Sequence, residues 1–315
     1  MPTITVIGSL NMDLVVYTPR FPDAGETITG YGLHTIPGGK GANQAVAIAR
    51  QGVRVLMVGR LGRDEFGERI LAALGAEQID TGRLEIVPEV TTGVAIIAVD
   101  DRGENRIILA PGANHSFTLG DIELTETALA QSDALVMQLE IPLPVVTYAA
   151  RLAKERGVLV ILNAAPARQL PDEVASNVDY LVVNAIEASL LTQCAPTEPR
   201  EAACKLITQG FGNVIITLGA DGVLFANNEH MEVVPGFSMS VVDTTAAGDA
   251  FIGAFASALT RGKEVRDAVI WANAAGALAT TVLGAQPSLP TYLAVEEFLG
   301  KHDGQRPGGG GPLHR

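Results

Sequence analysis

Asp243-Thr244-Thr245-Ala246-Ala247-Gly248-Asp249-Ala250-Phe251 is the stretch that most strongly decides the fold. The apolar residues after Gly248 recur at helical spacing: Phe251, Ile252, Phe255 and Leu259. Gly262 is suited to end that helix. Residues 246–248 then lie at the helix N-terminus, where backbone N–H groups and the helix dipole favour an anion by roughly 0.3–1 kcal/mol. Asp249 beside an anion suits a general base, worth about 10²–10⁴-fold in rate; the alternative is an ordinary first-turn acid.

The composition favours a globular protein that binds small molecules. The 315 residues are 47% hydrophobic and 18% charged, which predicts a sizeable core in one large or two small domains. The net charge of −13 argues against general affinity for nucleic acid or an anionic membrane. The 2 cysteines are too few for a disulfide framework, and the 5 histidines show no metal-ligand spacing. No secretory signal precedes the first apolar run, so we expect a cytoplasmic protein.

Short β-branched runs alternate with helical patterns along most of the chain. The predicted strands are Ile4–Gly8, Val53–Val58, Ala134–Gln138, Val158–Leu162, Leu181–Asn184 and Val214–Leu218. The predicted helices between them are Ala42–Gln51, Phe66–Leu74, Pro144–Arg156 and Glu201–Gln209. This alternation predicts a doubly wound parallel sheet with helices on both faces and a ligand site at the carboxyl ends of the strands. The charge-free segment 268–285 is interpreted as a buried helix rather than a membrane span.

Two regions depart from the alternation. Thr92–Val99 and Asn105–Ala110 are joined by the turn-forming segment 100–104, which predicts a hairpin, and Leu14–His34 lacks helical periodicity. Together they predict a small β-structure that covers a site or pairs with a second subunit; a surface meander is the alternative. Residues 304–315 carry a glycine run and are expected to be disordered.

Two further motifs carry polar side chains to the predicted site. In Gly38-Gly39-Lys40-Gly41-Ala42-Asn43-Gln44-Ala45, the glycines permit close backbone approach and the polar side chains suit a polyol. In Gly8-Ser9-Leu10-Asn11-Met12-Asp13, Asn11 and Asp13 alternate and so share one face. An ordinary glycine-rich turn and a polar strand end are the respective alternatives. No Walker pattern and no G-x-G-x-x-G after the first strand accompanies them.

In order and spacing, these three motifs resemble those of the ribokinase-like sugar kinases. The resemblance runs from about Thr3 to about Leu299 and includes Gly284-Ala285-Gln286-Pro287-Ser288. It implies one kinase domain over residues 1–303, with a mostly parallel sheet and a small β-sheet lid from about 14–38 and 92–110. It also implies transfer of the γ-phosphoryl group of ATP to the 5-hydroxyl of D-ribose, Mg²⁺ and K⁺ as cofactors, and a homodimer formed through the lid.

The resemblance assigns roles residue by residue. Asp249 matches the catalytic base, and Ala246, Ala247 and Gly248 match the anion hole. The matched sugar contacts are Asn11, Asp13, Gly39, Lys40, Asn43, Glu140 and Asp249, with Ala95 and Ile107 from the lid. The matched nucleotide positions are Asn184, Glu187, Thr217, Gly219, Asp221, Gly222, Gly248 and Asn273, of which Asn184 and Glu187 organise magnesium. The matched potassium positions are Asp243, Thr245, Ala279, Val282, Gly284 and Ser288.

The sequence departs from the family pattern at Ala164, Ala185 and Ile186, none of which is assigned to chemistry. Two alternatives to a ribose kinase stay open. One is a related kinase acting on deoxyribose, fructose or adenosine, because lid residues decide the substrate. The other is a non-catalytic sugar or nucleotide sensor, since a fold alone does not establish activity.

Overall fold

A computed structural model describes residues 1–302. Within that range the fold is an α/β sandwich with a second small sheet, as the sequence predicts. The tail predicted to be disordered, 304–315, lies outside the described residues. None of the helices between Met1 and His302 combines the length and the apolar character that crossing a membrane requires.

The main sheet of the described chain has nine strands in the order β13-β12-β11-β10-β9-β8-β1-β4-β5. They are β1 Thr3–Ile7, β4 Arg54–Gly62, β5 Asp80–Val87, β8 Ala134–Met137, β9 Leu159–Asn163, β10 Tyr180–Asn184, β11 Asn213–Thr217, β12 Val223–Asn227 and β13 Met231–Val234. Neighbours are parallel from β5 to β11, whereas β12 and β13 add to the edge antiparallel. The parallel strands β1, β8 and β11 are nearly continuous apolar runs because helices cover both faces of the sheet. Their carboxyl ends therefore meet at one edge.

Twelve α-helices lie within residues 1–302. They are α1 Lys40–Arg50, α2 Glu65–Ala76, α3 Leu119–Glu123, α4 Glu126–Leu129, α5 Leu143–Glu155, α6 Asp172–Asn177, α7 Ala185–Thr192, α8 Pro199–Thr208, α9 Ala247–Thr260, α10 Val265–Ala279, α11 Ala285–Ser288 and α12 Tyr292–Lys301. Helix α9 packs on both α1 and α10 in one core layer. A Cβ atom at Gly253 of α9 would lie 2.4 Å from the Cβ atom of Ala47 in α1, so this glycine allows the two helices to approach closely.

The predicted helix over 268–285 is wrong at its end. Helix α10 stops at Ala279, and a turn separates it from α11. Two backbone N–H groups from the loop before α9, those of Val242 and Asp243, donate to the Thr280 carbonyl at 2.8 and 3.1 Å. This tertiary contact takes up the carbonyl at the helix end, and alanine-rich composition gives no sign of it.

The second sheet has the order β3-β2-β6-β7. Its strands are β2 Asn11–Tyr17, β3 Gly32–Gly38, β6 Gly93–Val99 and β7 Asn105–Ala110, with the predicted hairpin formed by β6 and β7. It leaves the main body directly after β1 and returns directly into α1. Both connections are short, so the sheet is held over the carboxyl edge of the main sheet.

Candidate active site

Polar side chains gather at the carboxyl edge of the main sheet. Glu140 follows β8, Asn163 and Asn184 end β9 and β10, and Thr217 ends β11. The N-termini of α1 and α9 point to the same edge, with Lys40 at the start of α1 and Asp249 in the first turn of α9. A cavity of about 320 Å³ is lined by Lys40, Asn163, Asn184, Glu187, Thr217, Ala246, Gly248 and Asp249, among others. The structure therefore brings together motifs that are far apart in the sequence.

Asp249 is buried and held by two amides from α1. Asn43 Nδ2 donates to Asp249 Oδ2 at 3.1 Å, and Gln44 Nε2 donates to Asp249 Oδ1 at 2.9 Å. Asn43 Oδ1 is buried without a hydrogen-bond partner among the described residues. An acceptor of this kind suits a hydroxyl donor from a ligand. Asp249, which lines the cavity, and Asn43, which is hydrogen-bonded to it, thus form one polar corner of the site.

Glu140 and Asp13 form the second polar corner of the site, beside the cavity but outside its lining. Glu140 Oε2 accepts from Ser9 Oγ at 2.5 Å and from the Lys40 backbone N–H at 3.1 Å. A Cβ atom at Gly38 would lie 2.3 Å from Asp13 Oδ2, so the glycine makes room for the Asp13 carboxylate. Gly39 caps α1 with φ +87°, a conformation that favours glycine, which explains the glycine pair in this motif.

Burial and the neighbouring charges together shift the pKa values of Asp13, Lys40 and Asp249. Burial, followed by the charges of Glu140 and Asp249, raises the pKa of Asp13 from 3.8 to about 7. Burial also raises the pKa of Asp249, against Lys40 and the two amide donors. Burial alone would lower the pKa of Lys40, but the surrounding carboxylates outweigh it and raise that pKa. Lys40 is accordingly a cation in a pocket of acids.

The N-terminus of α9 is built as the sequence predicts, with one difference. Ala246 adopts the left-handed conformation, φ +58°, directly before the helix starts at Ala247. A left-handed residue next to a helical one turns successive N–H groups toward a common point, which forms an anion-binding concavity. The Ala247 N–H, however, donates to the Thr244 carbonyl at 3.3 Å, so it is already engaged within the loop.

Asn184 and Glu187 form a reciprocal capping pair at the start of α7. Asn184 Oδ1 accepts from the Glu187 N–H, and Glu187 Oε2 accepts from the Asn184 N–H, both at 2.8 Å. This pairing fixes both side chains at the cavity wall and leaves Glu187 Oε1 outside the pair. Burial raises the pKa of Glu187. Of the departures from the family pattern, Ala164 is buried, whereas Ile186 points outward with 65% of its surface exposed.

A second cavity of about 560 Å³ adjoins the first and is largely apolar. Its lining includes Thr217, Gly219, Gly222, Gly248, Phe251 and Asn273. Asn273 Nδ2 donates to the Pro235 carbonyl at 2.8 Å, which fixes the orientation of its amide. The prediction for Asp221 differs from this picture, because the side chain is exposed and the residue does not line this cavity. A 3-10 turn between Gly219 and Gly222 brings the backbone, rather than the acid, to the site.

The predicted potassium positions partly converge. Asp243 Oδ1 accepts from the backbone N–H and the hydroxyl of Thr245, and Asp243 Oδ2 accepts from the Gly284 N–H at 2.8 Å. These bonds hold the pKa of Asp243 below its ordinary value although burial would raise it. Ser288 Oγ donates to the Ala285 carbonyl, Ala279 is buried at the end of α10, and the side chain of Val282 is 44% exposed.

Ala95 and Ile107 share a face of the second sheet with Asp13. Asp13 pairs with Ala95, Ala95 with Leu109, and Ile107 lies two residues from Leu109 along β7. Side chains two apart point to the same side of a strand. Ala95 is buried, whereas Ile107 is 58% exposed and lies further out.

Several buried amides of the site were not predicted from the sequence. Asn114 Nδ2 donates to Asn11 Oδ1 at 2.8 Å and to the Leu10 carbonyl at 3.0 Å. Gln138 and Asn163 both bond Gln44 behind the Asp249 carboxylate. Gln44 stands within the glycine-rich motif, so its position carries a signal. The other three come from remote segments that only the folded chain brings together.

Comparisons with known proteins show which family the chain resembles over nearly its whole length. Residues 1–292 match the model of the pfkB family of carbohydrate kinases. The chain is 42% identical over 300 residues to a ribokinase of Haemophilus influenzae, covering 94% of this chain and 98% of that protein. It is 37% identical over 301 residues to a deoxyribokinase of Salmonella typhi, covering 94% and 98%. The solved structure of Arabidopsis thaliana ribokinase complexed with ribose and ATP matches with a TM-score of 0.87 at 33% identity, covering 95% and 98%.

Proposed function

Because the chain belongs to the pfkB family of carbohydrate kinases, we propose that it phosphorylates D-ribose at the 5-hydroxyl with ATP as donor. The observation that carries the proposal is the position of Asp249. It is buried, with the Asn43 amide and the carboxylates of Asp13 and Glu140 on the side proposed for the sugar. On the other side is the start of α9, which is suited to bind an anion. The similarity to ribokinases over nearly the whole chain supports the choice of ribose.

In the proposed reaction, the polar corners hold the sugar. Asp13 and Glu140 accept hydrogen bonds from hydroxyl groups, and the free Asn43 Oδ1 accepts one more. Asp249 takes the proton from the 5-hydroxyl as the new O–P bond forms and the bond to the leaving ADP oxygen breaks. Its raised pKa brings a carboxyl group nearer to the working pH, which suits a general base.

The phosphate groups lie between Lys40, Thr217 and the start of α9 in this proposal. The cation of Lys40 and the N–H groups around Ala246 and Gly248 stabilise negative charge on the transferring group. The adenosine part of ATP occupies the larger apolar cavity beside Asn273. Asp221 has no part in this proposal because it is exposed.

The proposed site binds two cations, magnesium near Glu187 and potassium near Asp243. Glu187 Oε1 and the cavity wall fit magnesium held mainly by phosphates and water, and such an ion would neutralise phosphate charge. Asp243 Oδ1 already accepts two hydrogen bonds and Oδ2 accepts one, so potassium beside Asp243 would be held chiefly by backbone carbonyl oxygens, with the remaining acceptor site of Oδ2 open to it. The proposal also includes a homodimer formed through the second sheet, where Ile107 and Ile108 are exposed. A cytoplasmic location is proposed as well.

The test is ADP release from ATP and magnesium with ribose, deoxyribose, fructose and adenosine, in potassium and again in sodium. Turnover highest on ribose and faster in potassium is the expected result. Highest turnover on deoxyribose would move the substrate, an alternative favoured by the deoxyribokinase relative. Binding of ribose without ADP formation would support a sensor instead.

The variant Asp249→Asn tests the proposed base. It should keep ribose affinity within a few-fold while turnover falls by about two orders of magnitude or more, the range expected for a lost general base. Isothermal titration with ribose measures the first quantity and ADP release the second. Near-normal turnover in Asp249→Asn would contradict the assignment.

A further inference from the structure

Gln44 is fully buried, and the cavity lining does not include it. Its side chain has no surface open to a bound substrate, unlike Asn43 and Asp249, which are each 6% exposed. Its side chain nevertheless contacts the Asp249 carboxylate, through a hydrogen bond of 2.9 Å from Nε2 to Oδ1. Asn43 holds the other oxygen, Oδ2, but its own Oδ1 is an acceptor without a partner among the described residues and is proposed to take a sugar hydroxyl. Gln44 is thus the amide that contacts the Asp249 carboxylate from the protein interior rather than from the cavity.

The orientation of the Gln44 amide is determined by its partners. Its Nε2 atom donates to both Asp249 Oδ1 and Asn163 Oδ1, the latter at 3.1 Å. Its Oε1 atom accepts from Gln138 Nε2 at 2.6 Å. A flipped amide would place two oxygens against each other at the carboxylate and two nitrogens against each other at Gln138. The network therefore allows one orientation.

The two supporting amides anchor Gln44 to the main sheet. Gln138 directly follows β8, and Asn163 ends β9, where its Nδ2 atom donates to the Val182 carbonyl at 3.1 Å. Gln138 is fully buried, and Gly8 makes its position possible, since a Cβ atom at Gly8 would lie 2.1 Å from Gln138 Oε1. The chain of amides thus runs from two rigid strand ends to one oxygen of Asp249.

We propose that Gln44 is a positioning residue, which fixes the rotation of the Asp249 carboxylate and keeps it ionised by donating to Oδ1, with Gln138 and Asn163 holding Gln44 in place. The proposal deepens the proposed kinase reaction and rests on it for the role of Asp249. A donor fixed in advance favours the charged carboxylate without reorganisation when the proton is taken. Without that donor the carboxylate would ionise less readily and could rotate.

Other charged groups around Asp249 bear on the same titration. Lys40 from α1 favours the ionised form, whereas Glu140 after β8, Asp13 of β2 and Glu187 of α7 disfavour it. None of these is changed by a substitution at Gln44. The effect of the substitution can therefore be measured against a constant charge environment.

The test compares Gln44→Met with Gln51→Met. Gln51 is also a buried glutamine beside the same helix, and its side chain bonds Trp271 Nε1 and the Pro290 carbonyl, far from Asp249. Loss of a hydrogen bond to a charged group changes an equilibrium by about tenfold or more. In Gln44→Met we expect kcat to fall by about tenfold or more, KM for ribose to change less than about threefold, and the acid limb of kcat to move about one pH unit upward. Gln51→Met should lose stability without moving the pH profile.

Two additions keep the outcomes distinct. Gln138→Met touches only the support of Gln44 and should shift the acid limb in the same direction by a smaller amount, which covers the case in which Gln44→Met does not fold. A carboxyl ¹³C NMR titration of Asp249, assigned by the signal missing in Asp249→Asn, reads the same shift without turnover. An active wild-type protein whose pH profile and NMR titration are unchanged in the Gln44 and Gln138 variants would overturn the positioning role. A wild-type protein without sugar kinase activity, but with a shifted Asp249 titration, would refute the proposed function and leave the positioning role standing.

Discussion

Asp13→Asn should make the protein more stable at high pH while weakening its binding of sugar. Burial and two neighbouring carboxylates raise the pKa of Asp13 from 3.8 to about 7 in the folded protein. Between these values the unfolded chain releases the proton and the folded chain keeps it. Folding stability from this group is therefore full below pH 3.8 and decreases as the pH rises toward about 7.

The size of the effect follows from that interval. Each pH unit between the two pKa values lowers the free energy of unfolding by about 1.4 kcal/mol. Between pH 5 and pH 8 the wild-type protein therefore loses at most about 3 kcal/mol of unfolding free energy through Asp13. The partly buried side chain makes this an upper bound. Asparagine fills nearly the same space beside Gly38 but carries no titrating group, so Asp13→Asn should not share the loss.

Urea unfolding at pH 5 and pH 8, followed by fluorescence of the buried Trp271, measures the effect. The difference in unfolding free energy between Asp13→Asn and wild type should increase by about 1–3 kcal/mol in favour of the variant from pH 5 to pH 8. The exposed Asp23, in the loop after β2, gives the matched control Asp23→Asn, which should follow the wild type at both pH values. An Asp13→Asn difference that is equal at pH 5 and pH 8 would refute the reasoning.

Two further predictions concern packing and the support of the sugar pocket. Gly253→Ala places a Cβ atom 2.4 Å from Ala47 Cβ and should cost about 1–3 kcal/mol of unfolding free energy. The control Gly75→Ala, in open space on α2, should be neutral or stabilising. Equal unfolding midpoints for the two variants would contradict the packing argument. Asn114→Ala leaves the Leu10 N–H and Asn11 Oδ1 without a partner, so KM for ribose should rise about tenfold with a smaller change in kcat. Steady-state kinetics check this, and an unchanged KM would count against a supporting role for Asn114.

Most strands of the main sheet could be predicted because they are short apolar runs. Few structures other than a buried strand suit such a run. The six predicted strands and the helix that begins at Ala247 are confirmed within one or a few residues. Strands β12 and β13 escaped prediction because an antiparallel edge produces no strand–helix alternation. Strand β5 escaped for a related reason, since its half-exposed residues lack a continuous apolar run.

Local motifs predicted the site where the backbone itself forms it, and failed where distant segments supply the contacts. The start of α9 and the glycine-rich turn before α1 are local, so their small residues reveal them. Asn114 and Gln138 act through side chains that meet the site only after the sheet has formed, and no local spacing marks them. The nucleotide contact of Asp221 stays a prediction, since the turn that resembles a nucleotide contact leaves its side chain exposed.

The charge distribution of the site would place the two proposed substrates, ribose and ATP, on different sides of Asp249. Asp13, Glu140 and Asp249 converge on one side, where negative charge on these carboxylates repels an anion. On the other side, Lys40 and the N-terminus of α9 attract one. A neutral polyol supplies hydroxyl donors that relieve the crowded carboxylates, whereas a phosphate supplies none. These acids would therefore direct the sugar and the nucleotide to opposite sides of Asp249, with the acceptor hydroxyl facing the γ-phosphate.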